Sequence, residues 1–277
     1  MSTIHKVITE NKLDVNHLFE LAQKSFDAEI ICEERGSNVY YFWVKEKSTR
    51  GMDITLEDYG VEIRNTGLSN KADLMLTNII TENILKLVNG ELINEDDEKI
   101  TQFPLYSEIA IKDIMKNEAR TIFILSRENN EISIFGPIRK TYFGRKIYEA
   151  LAKYEKDEFL LSQKMEELIL KSQYHLPDYS YGNILQAENG ETPLILKLLT
   201  NKADYIIDKY DYILVEQEGK NPIIITNDDL NKILPASWSL IDEYTVVAPV
   251  VPENEWEVFV KRAKSYDTFD DFMKNGK

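Results

Sequence analysis

The sequence predicts an α+β fold, with mixed, mainly antiparallel sheets and packed helices. Short segments that alternate apolar and polar residues, as half-buried strands do, occur towards both ends of the chain. Helical segments with apolar residues three or four positions apart lie among them. Because strands and helices do not alternate regularly, as a doubly wound parallel sheet requires, the mixture indicates the α+β class.

The first third of the chain predicts one helix followed by three or four antiparallel strands. Asp14 stands where an N-cap residue belongs. The helix that it starts has an apolar face formed by Val15, Leu18, Phe19, Ala22 and Phe26. Strands are expected at residues 28–32, 39–44, 52–56 and 61–64. The turn Asp58-Tyr59-Gly60 joins the last two strands.

The middle of the chain predicts two further capped helices and a hairpin. Ser69 is expected to cap the second helix, which ends at Gly90, and Ser107 is expected to cap the third. Residues 121–125 and 131–135 then indicate the two strands of a hairpin around Glu128-Asn129-Asn130.

A long helix is expected near residues 143–172. Its apolar face consists of Ile147, Leu151, Tyr154, Leu161, Met165 and Leu168. Glu158 is the one polar residue on that face, which allows a kink or break near Lys156-Asp157.

The last hundred residues return to the alternating pattern. Residues 211–215 and 222–226 predict a hairpin, and Asn227 or Asp228 caps a short helix. A strand at 244–248 and a helix after Pro252 follow. We expect an N-terminal α+β domain over residues 1–175 and a C-terminal acidic α+β domain over residues 176–277, with one continuous globule as the alternative.

Charge and cysteine content narrow the classes of partner and compartment. The 277 residues include 48 Asp and Glu against 33 Lys and Arg, a net charge of −15. This charge repels nucleic-acid phosphates and anionic lipid, so we expect a basic protein partner and neither nucleic acid nor membrane. The alternative is that the charge serves solubility alone. A single cysteine and the absence of a signal-like or membrane-spanning apolar segment predict a cytoplasmic protein.

The sequence carries no motif for catalysis, metal or cofactor binding. Its three histidines, His5, His17 and His175, lie far apart, and no phosphate-binding glycine loop occurs. Cys32 is followed by Glu33 and Glu34, which would raise the pKa of the thiol and so disfavour a nucleophile. We therefore expect no catalytic residue, no metal and no cofactor.

One basic segment, residues 136–146, is a candidate anion-binding site. It contains four cations and no acid, and it lies between a strand end and a helix start, where backbone N–H groups favour anions. The candidate residues are Arg139, Lys140, Arg145 and Lys146. The alternative is a basic turn that pairs with the surplus carboxylates of the same protein.

The C-terminal region is a candidate surface for a basic partner. Residues 178–277 contain 18 acidic and 10 basic residues, and tyrosines and tryptophans are interleaved with the acids. The candidate residues for partner binding are Trp238, Tyr210, Tyr212, Asp208, Asp211, Asp242 and Glu243. The alternative is a tyrosine-rich antiparallel sheet with no partner.

These observations favour a non-catalytic binding protein over two other classes. We expect an acidic inhibitor, of the bacterial immunity type, that masks a basic protein. One alternative is a metal-dependent phosphoester or nucleotide hydrolase whose carboxylate site is assembled by the fold. The other is a structural or scaffold protein of phage or secretion-system origin. The sequence indicates no oligomeric state.

Overall fold

The computed structural model has the predicted α+β fold, with helices and mainly antiparallel sheets. The structure describes residues 2–128, 131–187, 193–270 and 272. The chain divides into two units, Met1–Tyr174 and His175–Lys277.

A six-stranded antiparallel sheet forms the first part of unit one, in the spatial order β2-β3-β4-β5-β1-β6. Its strands are β1 (Ser2–Ile8), β2 (Ile30–Gly36), β3 (Val39–Val44), β4 (Met52–Glu57), β5 (Gly60–Thr66) and β6 (Glu91–Ile93). The four strands predicted from alternation, β2 to β5, are confirmed. Sequence reasoning missed β1, which pairs with β5 along its whole length, from Ser2 opposite Thr66 to Ile8 opposite Gly60.

Two helices pack on this sheet. Helix α1 (Val15–Ser25) begins after Asp14, whose carboxylate accepts the N–H groups of Asn16 and His17, as predicted. Helix α2 (Lys71–Val88) is capped by Asn70 and not by the predicted Ser69. The Ser69 hydroxyl donates to the carbonyl of Thr66 instead. The shared core includes Val7, Leu18, Phe42, Ile54, Ile63, Leu76, Ile80 and Ile84.

The rest of unit one consists of helices and a hairpin: α3 (Glu108–Arg127), β7 (Ile132–Phe135), β8 (Lys140–Phe143), α4 (Arg145–Leu151) and α5 (Glu158–Tyr174). The strand predicted at 121–125 is wrong, because these residues extend α3, whose buried Ala119 and Phe123 are four positions apart. The hairpin is β7–β8, and its turn is 136–139. Asn129 and Asn130, assigned to the predicted turn, lie outside the described residues.

The long helix predicted near 143–172 is two helices. A 3₁₀ turn, Ala152–Tyr154, follows α4, and the break near Lys156-Asp157 is confirmed. The carboxylate of Asp157 accepts the N–H of Leu160, which satisfies an N–H group in the first turn of α5. The apolar face nevertheless converges on one cluster that contains Ile147, Leu151, Leu161 and Met165.

The described strands of unit two form two sheets. The four-stranded sheet has the order β13-β12-β10-β9, and the three-stranded sheet has the order β11-β15-β14. The strands are β9 (Ile184–Ala187), β10 (Leu194–Leu199), β11 (Tyr205–Ile207), β12 (Tyr212–Val215), β13 (Ile223–Ile225), β14 (Ser239–Leu240) and β15 (Val246–Ala248). The predicted hairpin is β12–β13, while β10 and β12 are parallel.

Helices α6 and α7 belong to the described part of unit two. Helix α6 (Asn227–Lys232) is capped by Thr226, whose hydroxyl accepts the N–H of Asp229, and not by Asn227 or Asp228. Helix α7 (Glu253–Ala263) follows Pro252 as predicted and buries Trp256 and Phe259. Among the described residues, no helix has the length and apolar character needed to cross a membrane.

Candidate functional site

Four of the seven residues predicted to bind a partner are buried in unit two. Trp238 is only 7 % exposed, its ring lies 5.2 Å from that of Phe259, and its Nε1–H donates to the carbonyl of Pro249 at 2.9 Å. Both the ring and the N–H group are thus engaged within the unit. The prediction that Trp238 binds a partner at the surface is therefore wrong, because Trp238 belongs to the core.

Tyr210, Asp242 and Glu243 are also buried, so the surface role predicted for them is wrong. The Asp242 carboxylate accepts the N–H groups of Tyr244 and Thr245 at 3.0 and 2.8 Å, and it thereby holds the turn that leads into β15. The backbone N–H of Tyr210 donates to Asn227 Oδ1. These residues stabilise the unit.

The remaining three predicted residues are partly or fully accessible. Asp208 and Tyr212 are half-buried, and the Tyr212 ring lies 5.3 Å from that of Phe272. Asp211 is exposed, and its carboxylate accepts the N–H of Ile195 at 2.6 Å. Of the predicted set, Asp211 is thus a surface acid that directly contacts β10, the strand next to the sheet edge.

The two edges of the four-stranded sheet differ. At one edge, β13 is covered, because Ile224 donates its N–H to the Asp267 carboxylate and accepts the N–H of Thr268 at 2.8 Å. At the other edge, β9 pairs with β10 and with no other strand in the described part of the chain. An uncovered edge presents N–H and C=O groups to which a further strand can pair.

The register of β9 identifies which backbone groups point outward. Leu198 donates its N–H to the carbonyl of Asn183, so Asn183, and then every second residue of β9, faces β10. Ile184 and Gln186 lie between these positions and direct their N–H and C=O groups away from β10. Ile195 lies opposite Gln186, and its N–H and C=O groups bond to Asp211 on the side of β10 that faces away from β9. This arrangement is the one expected from the register.

Apolar side chains surround this open edge. Ile184 is 49 % exposed, Leu185 is 43 % exposed and Ile195 is 41 % exposed. Residues 183–187 include no charge and no proline, the features with which edge strands commonly discourage pairing. We call this surface, formed by Ile184, Leu185, Gln186 and Ile195, the β9 edge.

The sequence around the β9 edge is acidic. From residue 172 to residue 196 there is no Lys or Arg, whereas Asp178, Glu188 and Glu191 are acids. Glu188 and Glu191 lie outside the described residues. The exposed Asp211 adds a carboxylate beside Ile195. A segment that pairs with β9 therefore gains from carrying basic residues.

Directly behind the β9 edge lies a buried lysine. The Lys197 side chain is fully buried, its Nζ lies 4.0 Å from the centroid of the Tyr205 ring, and no described residue accepts a hydrogen bond from it. Burial lowers the pKa of Lys197 to about 8. The alternation of side chains along β10 places Lys197 on the same face as Leu199. This pattern was the sequence signal from which the burial of Lys197 could have been predicted.

The four cations of the predicted anion site lie at the two ends of β8. Arg139 and Lys140 belong to the tip of the β7–β8 hairpin, and Arg145 and Lys146 begin α4. The four residue steps from 140 to 144 span roughly 13 Å of strand. Arg145 pairs with Glu149 at 2.8 Å, as the alternative of a self-paired basic turn expects.

The hairpin tip is held firmly by one side chain. The Gln173 amide oxygen accepts the N–H groups of Ile138 and Arg139, and its amide nitrogen donates to the carbonyl of Arg139. A Cβ at Gly136 would come within 2.3 Å of the Gln173 amide, so a larger residue there would displace the side chain that holds the turn.

Residues weighed for metal and nucleophile chemistry are not brought together. No group of three or more His, Cys, Asp or Glu side chains with metal-site geometry occurs within the described residues. Burial and the neighbouring Glu33 raise the pKa of Cys32 to about 11, in the predicted direction.

Comparison of the chain with protein-family models, with curated proteins and with solved structures finds no match.

Proposed function

We propose that this chain is a non-catalytic binding protein that masks a basic protein, and that the partner adds a strand to the β9 edge. The observation that carries the proposal is that the backbone N–H and C=O groups of Ile184 and Gln186 point away from β10, and no described strand pairs with them. The exposed side chains of Leu185 and Ile195 flank these groups. Main-chain hydrogen bonds would supply affinity, and alternate side chains would supply specificity.

Charge selects the class of partner. The chain carries −15 overall, and residues 172–196, which include β9, hold three acids and no Lys or Arg. An extended segment with alternating apolar residues and flanking Lys or Arg complements both features. Electrostatic attraction would mainly accelerate association, so the rate should fall as salt shortens the Debye length.

A random peptide library displayed on phage tests this function without requiring the partner to be identified first. Selection on the immobilised full chain should enrich peptides with alternating apolar residues and basic flanks. Gln186→Pro should abolish their binding, because proline removes an outward N–H that β10 does not use.

Gln186→Thr is the matched control, since it changes the same side chain but keeps the backbone N–H and suits a strand. It should bind the selected peptides almost as the wild type does. Enrichment of acidic peptides, or equal binding by the proline and threonine variants, would contradict the proposal.

A further inference from the structure

Unit one contains a groove of about 280 Å³ between α3 and α5, beside the start of α2. Its walls include the apolar side chains of Ile111, Met115 and Phe159. Phe159 is 52 % exposed, so about half of this aromatic side chain meets solvent. The volume is close to roughly 300 Å³, the lower end of the range for small-molecule pockets. The groove therefore suits a ligand with a single ring or a short chain.

Glu166 lines the groove from α5, and a buried side chain holds its carboxylate in place. Its Oε1 accepts a hydrogen bond at 2.7 Å from the amide of Asn70, which is only 4 % exposed. The same amide donates to the carbonyl of Lys47 and accepts the N–H of Asp73. Because Asn70 is fixed by these contacts, it orients Glu166. The other carboxylate oxygen, Oε2, accepts no hydrogen bond from a described residue.

The carboxylate of Glu166 has no cationic partner within the described part of the chain. No Lys, Arg or His of that part lies within 4.0 Å of it. Burial raises the pKa of Glu166, the hydrogen bond from Asn70 acts to lower it, and the negative charges of Asp73 and Glu167 raise it further. The charges around this carboxylate are thus of its own sign, and an added cation would stabilise its ionised form.

The two lysines that line the groove do not supply this cation. The ammonium group of Lys71 pairs with Glu108 at 3.4 Å. Lys112 is exposed and forms no ion pair with a described residue. Because neither ammonium group reaches the Glu166 carboxylate, the groove keeps an acid that is not compensated.

An uncompensated acid beside apolar and aromatic side chains matches a cation with an apolar body. We propose that this groove binds a small aromatic amine, in which one ring carries a primary ammonium group on a short chain. The ammonium group would donate to Glu166, and the ring would pack against Phe159 and Met115. Contacts of a thioether and a phenyl ring favour an aromatic body over an aliphatic one.

Isothermal titration of the full chain with 2-phenylethylamine tests the assignment. 2-Phenylethanol has the same ring and chain without the charge, and 3-phenylpropanoate carries the opposite charge. The amine should bind saturably, and the alcohol should bind at least about tenfold more weakly, since it loses a charge-assisted contact. Butylamine keeps the ammonium group without the ring and should also bind at least about tenfold more weakly. 3-Phenylpropanoate should not bind.

Two neighbouring acids of α5 provide a matched pair of variants. Glu166→Gln removes the charge but keeps an oxygen that can accept from Asn70. It should weaken binding of 2-phenylethylamine by about tenfold or more and leave that of 2-phenylethanol unchanged. Glu167→Gln is the control, because it changes the net charge equally at an exposed residue that pairs with Lys164 at 2.7 Å. Since the chain carries −15, this control separates binding in the groove from general attraction of cations.

A second pair of variants tests the apolar wall. Phe159→Ala should weaken binding of both the amine and the alcohol, since both rings would pack on Phe159. Its exposure means that the variant should still fold. Phe135→Ala removes a ring that is 62 % exposed on β7, outside the groove, and should bind both compounds as the wild type does.

Three results would overturn the proposal. They are the absence of saturable amine binding, equal binding of 2-phenylethylamine and 2-phenylethanol, and equal amine binding by folded Glu166→Gln and Glu167→Gln variants. If Glu166→Gln did not fold, the comparison of amine and alcohol on the wild type and on Phe159→Ala would still decide the question. None of these substitutions touches the β9 edge, so failure here would not affect the proposed partner binding.

Discussion

Lys197 and Ile184 lie directly opposite each other in the β9–β10 pair, and their burial is the reverse of what their chemistry favours. The lysine is fully buried, while the isoleucine is half exposed. Local rules of burial are most often broken where a protein serves a function. The inversion is a further reason to propose the β9 edge as a binding surface.

The buried lysine should make stability depend on pH. The pKa of Lys197 falls from 10.5 in the unfolded chain to about 8 in the native one. Between these values the unfolded chain binds a proton that the native chain does not, so stability should rise with pH over this window. Urea denaturation at pH 7 to 10 should show a rise of up to about 3 kcal/mol.

Lys197→Met is the matched variant for this effect. It keeps an unbranched apolar chain without the amine, so it should be more stable than the wild type at pH 7 and lose the rise above pH 8. A rise of the same size in the variant would assign the pH dependence to other groups.

Trp238 should contribute to stability. Trp238→Ala removes a ring that packs on Phe259 and leaves the Pro249 carbonyl without its donor. The free energy of unfolding should fall by about 3–5 kcal/mol, measured by urea denaturation. A loss below about 1 kcal/mol would indicate that the ring is not part of the core, and partner binding by Trp238 at the surface would again be a hypothesis to test.

Asp73 should be the acidic residue of unit one whose substitution lowers the free energy of unfolding most. Its buried carboxylate accepts hydrogen bonds from Thr49, Arg50, Gly51 and Asn70, and it thus fixes the turn between β3 and β4. Asp73→Ala leaves these donors unsatisfied and should cost about 3 kcal/mol or more. The exposed Asp58, changed to Ala, should cost less than about 0.5 kcal/mol.

Leu151 tests the helical core. It is buried with Ile147, Leu161 and Met165 although it lies in α4 and two of these lie in α5. Leu151→Ala should cost about 2–5 kcal/mol, whereas Ile109→Ala, on an exposed position of α3, should cost little. Equally small losses of stability in the two variants would show that Leu151 is not part of the core.

Local patterns predicted the elements whose signal lies within a few residues. The apolar segments on either side of Glu218-Gly219-Lys220 form β12 and β13, and Pro252 precedes α7 as expected. The strand wrongly predicted at 121–125 shows the limit of such patterns, because its apolar residues also fit a helical face.

The site depended on contacts between residues far apart along the chain. Trp238 stood outside any periodic segment, yet Phe259, 21 positions later, places it in the core. The four-residue β9 becomes an edge only through its register with β10 and through the cover at β13, neither of which has a local signal. The net charge, in contrast, is a property of composition alone, and it is the basis on which a basic partner is proposed.

Amide hydrogen exchange at single-residue resolution tests the β9 edge most directly. In the free chain the amides of Ile184 and Gln186 should exchange rapidly, because they point away from β10, while Leu185 should be protected. Addition of a library-selected peptide with basic flanks should protect both Ile184 and Gln186. Unchanged exchange at these two amides in the saturated complex would contradict strand addition at β9.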